Sequence, residues 1–333
     1  DAIDRTAPTV TCSISNITAN SFKIAATSSA TADQWFYSLD DGGSSTLFSS
    51  TAGTSASTTV TGLSPNTTYY VRAMVRKKSN QVYGETSSVT VKTLGGAIIN
   101  SCPTITADAT TVTFKPNVTV YDASYSYYLS IYNGSTEYLA LSARTWSKGT
   151  ADRTITLSQT ERADLLDAMA NIKSFTATIK VVTKSGTTQI GSTSTCSCTV
   201  QTTSANSAPT MTAFTFKDSR STTAALTGND QLFIQGYSYL YVTPGVATAK
   251  NGASIVKYAA TCNGVTNSNT TGAAINLYEV SKSGTVDVVV TATDSRGYTV
   301  SSTQQITVIP YAKPKVSNIS LRRTNDIEAE MQL

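Results

Sequence analysis

Hydrophobic and polar residues alternate with period two along most of the chain, in short runs divided by clusters of Gly, Asn, Asp and Pro. This pattern predicts half-buried β-strands joined by tight turns. Val10, Cys12 and Ile14 form the first run, followed by Phe22-Lys-Ile24 and Trp35-Phe-Tyr37-Ser-Leu39. Asp40-Asp41-Gly42-Gly43 then closes a hairpin; its two aspartates could ligate Ca²⁺, but Asp-Gly turn chemistry accounts for them better. Alternation returns at Val89 and Val91, at Ile105, Val112 and Phe114, and along Val118-Thr-Val120-Tyr121. A long pair, Val286–Val290 and Thr299–Val308, brackets Asp294-Ser-Arg296-Gly297, the composition of a tight turn. Arg296 is placed to bridge Asp294 or to reach a neighbouring module.

One segment breaks the β rhythm. Ser158-Gln-Thr-Glu161 is a capping-box pattern, and Leu165, Leu166 and Met169 lay an apolar stripe along the helix it starts, with Asn171 as its stop. Such a helix would cross over one open end of a sandwich before Phe175–Val181 resumes a strand. Asp164 and Asp167 on it have no partnered acid or base in view, so it offers no catalytic site. Tyrosines cluster at Tyr125, Tyr127, Tyr128, Tyr132 and Tyr138, where core and cross-strand packing is the better reading. Tyr237, Tyr239 and Tyr241 recur at every second position and point to one face.

Four near-identical strand openings set the domain count. Pro8-Thr-Val-Thr, Pro103-Thr-Ile-Thr, Pro209-Thr-Met-Thr and Pro314-Lys-Val-Ser lie 95, 106 and 105 residues apart, the length of an immunoglobulin-sized sandwich. The expected fold is therefore all-β, with tandem immunoglobulin-like sandwiches in an elongated array and one short helix in the second. Expected modules are 6–94, 97–203 and 208–310, with an incomplete fourth over 311–333. Leu94-Gly95-Gly96 reads as a flexible hinge and Ser204–Ala208 as a small-residue linker. Since the sequence opens at Asp1 without Met and leaves the fourth module unfinished, it is expected to be a piece of a longer polypeptide.

Composition then removes function classes. No histidine occurs, which excludes Ser-His-Asp and Cys-His catalysis and removes the commonest metal ligand. The net charge of +4 is too thin and dispersed for nucleic acid or a membrane surface; the only basic runs are Arg76-Lys77-Lys78 and Arg322-Arg323. No apolar run is long enough to insert in a membrane. Five cysteines without a Cys-x2-Cys pair argue against zinc. Cys102 and either Cys196 or Cys198 sit on the outer strands of the second module, which permits one disulfide; small reduced thiols are the simpler reading. No catalytic, cofactor-binding or metal-binding residue is assigned, no cofactor is expected, and the ligand-binding residues are left open.

The segment Gly62-Leu63-Ser64-Pro65-Asn66-Thr67-Thr68-Tyr69-Tyr70-Val71-Arg72-Ala73 resembles the fibronectin type III domain. The resemblance implies tandem immunoglobulin/fibronectin III-like β-sandwiches, with Tyr69 as the corner tyrosine, its hydroxyl bonded to nearby backbone, and Trp35 as the core tryptophan. No Arg-Gly-Asp loop is present, so integrin-type adhesion is not carried over.

Further on, Phe216-Lys-Asp218, Leu226-Thr-Gly-Asn229, Gly236-Tyr-Ser238, Ala253-Ser-Ile255, Ala292–Gly297 and Ile309-Pro-Tyr311-x-x-Pro314 follow in an order that resembles a family of structural proteins of siphovirus tails. Leu157–Glu161 and Thr183-Lys-Ser-Gly186 resemble the module preceding them there, so the similarity covers roughly residues 97–333. It implies a non-enzymatic virion protein of the tail, made in the host cytoplasm, at the tail tip as a fibre or minor tail protein. Its implied partners are other tail and baseplate proteins, with a host cell-surface glycan or protein and self-association left open. Two alternatives stand beside it: a bacterial surface adhesin of similar modules, and accessory domains of a cell-wall glycan hydrolase.

Overall fold

The computed structural model describes residues 5–315, with the backbone of two short strand pieces at Arg322–Arg323 and Met331–Gln332. Most of the expected fourth module thus lies outside the described residues. Strand pairing falls into three groups, 10–92, 98–201 and 210–309, and no ladder between described residues joins one group to another. By contacts the chain divides into two compact units, residues 1–169 with 173–202, and residues 170–172 with 203–333.

The first group is seven strands: β1 (Val10–Ser15), β2 (Phe22–Ser38), β3 (Thr46–Ser49), β4 (Gly53–Val60), β5 (Thr68–Lys77), β6 (Tyr83–Glu85) and β7 (Val89–Lys92). The runs at 22–24 and 35–39, expected as separate strands, are one continuous β2. No Gly or Pro between 22 and 38 breaks the chain, so it turns the corner while extended. Its first part pairs with β1 and β4, its second with β3 and β5, and the registers shift between Thr27 and Ala32 where the partners change. Trp35, Phe22 and Ile24 are fully buried. Trp35 Nε1 donates to the Thr51 carbonyl at 3.3 Å. The Tyr69 hydroxyl accepts the Ser64 backbone N–H at 2.9 Å while its ring meets Phe22 edge-on at 6.0 Å, as the fibronectin III resemblance implies.

Turn chemistry accounts for Asp40 and Asp41. Asp40 Oδ1 accepts the Gly43 and Ser44 amides at 3.0 and 3.2 Å, and Asp41 Oδ1 takes Arg72 Nε at 2.8 Å. The 76–78 basic run is also partly neutralised. Arg76 holds Asp33 with two 3.0 Å hydrogen bonds, which keep the Asp33 carboxyl below its ordinary range.

Leu94-Gly95-Gly96 is not a hinge. Leu94 bonds backbone to backbone with Thr18 and Asn66, and the Ala97 amide donates to Thr183 Oγ1 at 2.7 Å. A Cβ at Gly96 would lie 2.4 Å from the Ile190 carbonyl oxygen. Glycine stands there to allow close approach, not to confer flexibility.

The second group begins before the Pro103 opening. Its strands are β8 (Ile98–Ser101), β9 (Ile105–Thr106), β10 (Thr113–Phe114), β11 (Asn117–Val120), β12 (Ser126–Asn133), β13 (Thr136–Ala140), β14 (Gly149–Asp152), β15 (Ile155–Thr156), β16 (Ser174–Ser185), β17 (Thr188–Gln189) and β18 (Ser194–Gln201). A six-stranded sheet, β13-β12-β16-β18-β9 with β17 on β16, accompanies the three-stranded sheet β14-β11-β8 and the pair β10-β15. Helix α1 (Gln159–Ala168) connects β15 to β16. Its capping box is reciprocal: Glu161 N–H to Ser158 Oγ at 3.1 Å, and Ser158 N–H to Glu161 Oε2 at 2.8 Å. Leu165, Leu166 and Met169 are buried as expected, but the helix caps at Met169, two residues before Asn171.

The tyrosines divide between core and surface. Tyr125 and Tyr127 are buried, and Tyr127 stacks on Trp146 at 5.1 Å. Tyr128 and Tyr132 alternate onto the other face, under Lys184 and Lys180 at 4.9 and 3.4 Å.

All five cysteines are free. The Cys102 thiol donates to Cys198, which raises the pKa of the first and lowers that of the second. Burial pushes Cys196 and Cys262 up to about 11. At pH 8 these two should therefore react with iodoacetamide roughly two orders of magnitude more slowly in the native chain than in urea. Mass spectrometry of carbamidomethylated peptides checks this, and equal native and denatured rates would refute it.

The third group holds β19 (Thr210–Met211), β20 (Thr215–Asp218), β21 (Leu232–Ile234), β22 (Tyr239–Thr243), β23 (Ala247–Thr248), β24 (Ile255–Cys262), β25 (Val265–Asn269), β26 (Ile275–Glu279), β27 (Gly284–Asp294) and β28 (Thr299–Ile309). The sheets β21-β28-β27-β24-β25 and β20-β22-β26 enclose a core around Phe214, Phe233, Leu240, Val242, Val288 and Val290, with β19-β23 as a separate pair. Two short helices join the one expected. The linker at 204–208 closes into one turn, α2 (Ser204–Ser207), capped by Thr203 and held by Asn251. Helix α3 (Ser221–Thr227) ends on Gly228 at φ 64. Seven residues without an apolar stripe gave it no periodic signal, although its glycine stop is plain in the sequence. Arg296 donates to the Lys250 carbonyl at 3.0 Å and to that of Asn251.

The three Pro-Thr openings do not take equivalent places. β1 runs antiparallel to β2, β9 parallel to β18, and β19 antiparallel to β23.

Candidate ligand-binding surface

The most developed exposed chemistry lies in the third group, around β20, α3, β22 and β26. On β22 the core takes Leu240 and Val242, leaving Tyr239 and Tyr241 half-buried on the outer face, as their alternation requires. Tyr237 precedes the strand on a turn. Gly236 at φ 72 reverses the chain, the Gly236 amide donates to the Val280 carbonyl, and the buried Ser238 hydroxyl accepts the Ile234 amide at 2.7 Å.

Asp218 is the hub beneath this face. It is almost fully buried, and its Oδ1 accepts the Arg220 amide at 3.0 Å and the Tyr239 amide at 3.1 Å, while Oδ2 accepts the Thr223 hydroxyl at 2.6 Å. One carboxylate thus ties β20, the start of α3 and β22 together. Arg220 then folds back over the tyrosines. Its Nη1 donates to the Tyr237 carbonyl at 2.9 Å, and its guanidinium carbon lies 5.0 Å from the Tyr239 ring centre and 6.0 Å from that of Tyr237.

Two further tyrosines complete the surface. Tyr311 meets Tyr237 at 4.8 Å with the rings 86° apart, and its backbone is tied to Gln235. Desolvation, and then Tyr237 beside it, pushes the Tyr311 phenol above its ordinary pKa. Tyr278 packs edge-on against Tyr239 at 6.4 Å and is 60% exposed. Its backbone adopts φ 57, a strained conformation for a bulky side chain. The cause is a bulge: the three residues of β22 from Tyr239 to Tyr241 oppose the four of β26 from Asn276 to Glu279. The extra residue turns Tyr278 onto the tyrosine face.

Thr223, Leu226, Ile234, Tyr237 and Tyr311 line a recess of about 140 Å³, with Leu226 79% exposed at its rim. Asp218, Leu226, Gly236–Ser238 and Tyr311 come from four of the segments that carried the tail-protein resemblance, and the fold brings them to one place. Alternation in the sequence picks out Tyr237, Tyr239 and Tyr241. Arg220 carries no such signal, being a lone cation two residues after an aspartate whose burial only the fold shows. Tyr278 carries none either, because a bulge has no alternation of its own.

Elsewhere, Asp164 and Asp167 lie exposed on α1. Among the described residues, no group of three or more Cys, Asp or Glu is placed to hold a metal ion. No described helix is long and apolar enough to cross a membrane.

No curated protein matches the chain. Solved structures with a similar arrangement include the FN1–FN3 domains of chicken CNTN1 (11% identity, 91% of this chain and 99% of that one, TM-score 0.25). The fibronectin(III)-like modules of Clostridium thermocellum CbhA share 15% identity over 67% of this chain and 100% of theirs, with a TM-score of 0.26. A tetra-tandem repeat in the extending region of a large adhesion protein shares 16% over 93% of this chain and 76% of its own, with a TM-score of 0.39. At these scores the fold assignment rests on the strand pairing and the Tyr69 corner. The model of a family described as siphovirus protein of unknown function (DUF859) matches residues 142–333, which include the whole tyrosine surface. With more than half its length matched, the chain belongs to this siphovirus protein family.

Proposed function

We propose that the chain is a non-enzymatic structural component of the siphovirus tail, a tail-tip fibre or minor tail protein, and that it contributes to attachment at the host cell surface. Its three sandwiches, 6–94, 97–203 and 208–310, act as spacers and as carriers of a binding face. Family membership supports the virion assignment. The single observation that carries the attachment role is the exposed tyrosine face around Arg220, held rigid by a buried carboxylate and by a strained bulge. Tyrosine and arginine are the residues that concentrate binding energy at recognition surfaces, because they present large, stiff, amphipathic area at low entropic cost. Other tail and baseplate proteins are its structural partners, and several copies on one particle would multiply a weak contact into avidity.

Two measurements test this reading. Mass spectrometry of purified virions should find the chain, and its absence would sink the tail assignment. Phage carrying Tyr237→Ala with Tyr311→Ala should assemble normally yet adsorb to host cells roughly tenfold more slowly, each lost aromatic contact being worth about 1 kcal/mol or more. Unchanged adsorption would remove the attachment role.

A further inference from the structure

We propose that the tyrosine face binds an acidic saccharide, a sugar unit carrying a carboxylate or phosphate, with Arg220 taking the acid group and the Tyr237–Tyr311 corner taking the ring. This rests on the reading of the face as an attachment surface. The first observation is how little of Arg220 is used. Its guanidinium makes one hydrogen bond, to the Tyr237 carbonyl, and no ion pair among the described residues. Asp218 does not serve as its counter-ion, since the oxygens of that carboxylate face the Arg220 and Tyr239 amides and the Thr223 hydroxyl. A half-buried guanidinium with most of its donors unassigned matches the planar, two-oxygen geometry of an acid group.

The second observation is the recess beside it. Two rings at 86°, with Leu226 and Ile234 completing the walls, enclose about 140 Å³, room for one sugar ring or a large substituent on it. A sugar presents an apolar C–H face to an aromatic wall while its hydroxyl and acid groups stay in water, and Tyr237, one wall of the recess, has the Arg220 guanidinium 6.0 Å from its ring centre. Nucleic acid is disfavoured, because among the described residues Arg220 and Lys217 are the cations stacked on the tyrosines of this face and a phosphate backbone needs a longer basic track. The strained Tyr278 and the bonded Asp218 keep the face preformed, which lowers the ordering cost of a weak ligand.

The test is NMR titration of the full chain labelled at tyrosine, with glucuronic acid and glucose 1-phosphate as probes and with glucose and inorganic phosphate as controls. Both acidic sugars, or one of them, should shift Tyr237 and Tyr311 saturably in the millimolar range, and which one does so names the acid group. Glucose and phosphate alone should each bind at least about tenfold more weakly, because each satisfies half of the site. Arg220→Gln should cost about tenfold in affinity for the acidic sugar while leaving the weaker binding of glucose unchanged, and Arg220→Lys should fall between. Equal binding of neutral glucose, equal binding of inorganic phosphate alone, or an unaffected Arg220→Gln overturns the proposal. If no probe binds while the Tyr237→Ala, Tyr311→Ala phage still adsorbs poorly, the acidic sugar falls and the attachment reading stands. Saturable binding with normal adsorption supports the sugar site and sinks the attachment reading.

Discussion

Replacing Asp218 with alanine is expected to destabilise the 203–315 region by about 3–5 kcal/mol and to disperse the tyrosine face. The carboxylate is almost fully buried and accepts three hydrogen bonds, from the amides of Arg220 and Tyr239 and the hydroxyl of Thr223. Its removal leaves the Arg220 and Tyr239 amides without that acceptor in a place that water reaches poorly, so desolvation costs add to the lost bonds, while the Thr223 hydroxyl keeps the Arg220 carbonyl at 3.0 Å. The links among β20, α3 and β22 go with it, and so does the reason Arg220 lies over Tyr239. Asp218→Asn should do about half the damage or less, since its amide oxygen can accept both backbone amides while its NH2 replaces only the charged oxygen that the Thr223 hydroxyl donates to. Urea unfolding followed by tyrosine near-ultraviolet dichroism measures both effects. A midpoint within error of the parent for Asp218→Ala would show that the network is decorative.

Trp35→Ala should cost the 10–92 sandwich about 3–5 kcal/mol, the ordinary range for emptying a large aromatic from a packed core. Trp35 is fully buried against Val10, Ala26, Ala73 and Val75, and these small and β-branched neighbours cannot collapse far enough to refill its volume. Its Nε1 bond to the Thr51 carbonyl is lost as well. Hydrogen exchange gives a local readout in a chain of several sandwiches, where a single melting curve would mix them. Amides on β2 that pair with β4, such as Ile24 and Ala26, should lose roughly two to three orders of magnitude of protection, while those of β27 and β28 keep theirs. Equal loss in both places would mean that the sandwiches unfold as one.

These two residues differ in how far the sequence revealed them. Trp35 was legible because it stands in an alternating run and fits, with Tyr69, a spaced pattern whose every position serves the sandwich. Asp218 looked like one more charged residue in a short motif. Its burial follows from where α3 and β22 pass, and α3 itself has no periodic stripe to announce it. The reading of 94–96 as a hinge failed for a related reason. A Gly-Gly pair has the same composition whether it bends freely or lets a carbonyl approach, and only the Ile190 turn shows which.

Local chemistry determined what the sequence alone could determine: the strands, because alternation maps directly onto the two faces of a sheet, and the α1 start, because its cap is formed within four residues; the Tyr69 corner came through the resemblance of 62–73 to the fibronectin type III domain, and its hydroxyl partner lies five residues away. The exclusion of histidine chemistry was equally direct. Tertiary structure decided whatever depends on residues far apart in the chain. It placed three similar openings in three different pairings, divided the tyrosines of β12 between core and surface, and gathered Asp218, Arg220, Tyr237, Tyr278 and Tyr311 onto one face. No period or spacing records that gathering, because it is made by a bulge, a buried carboxylate and the crossing of strands.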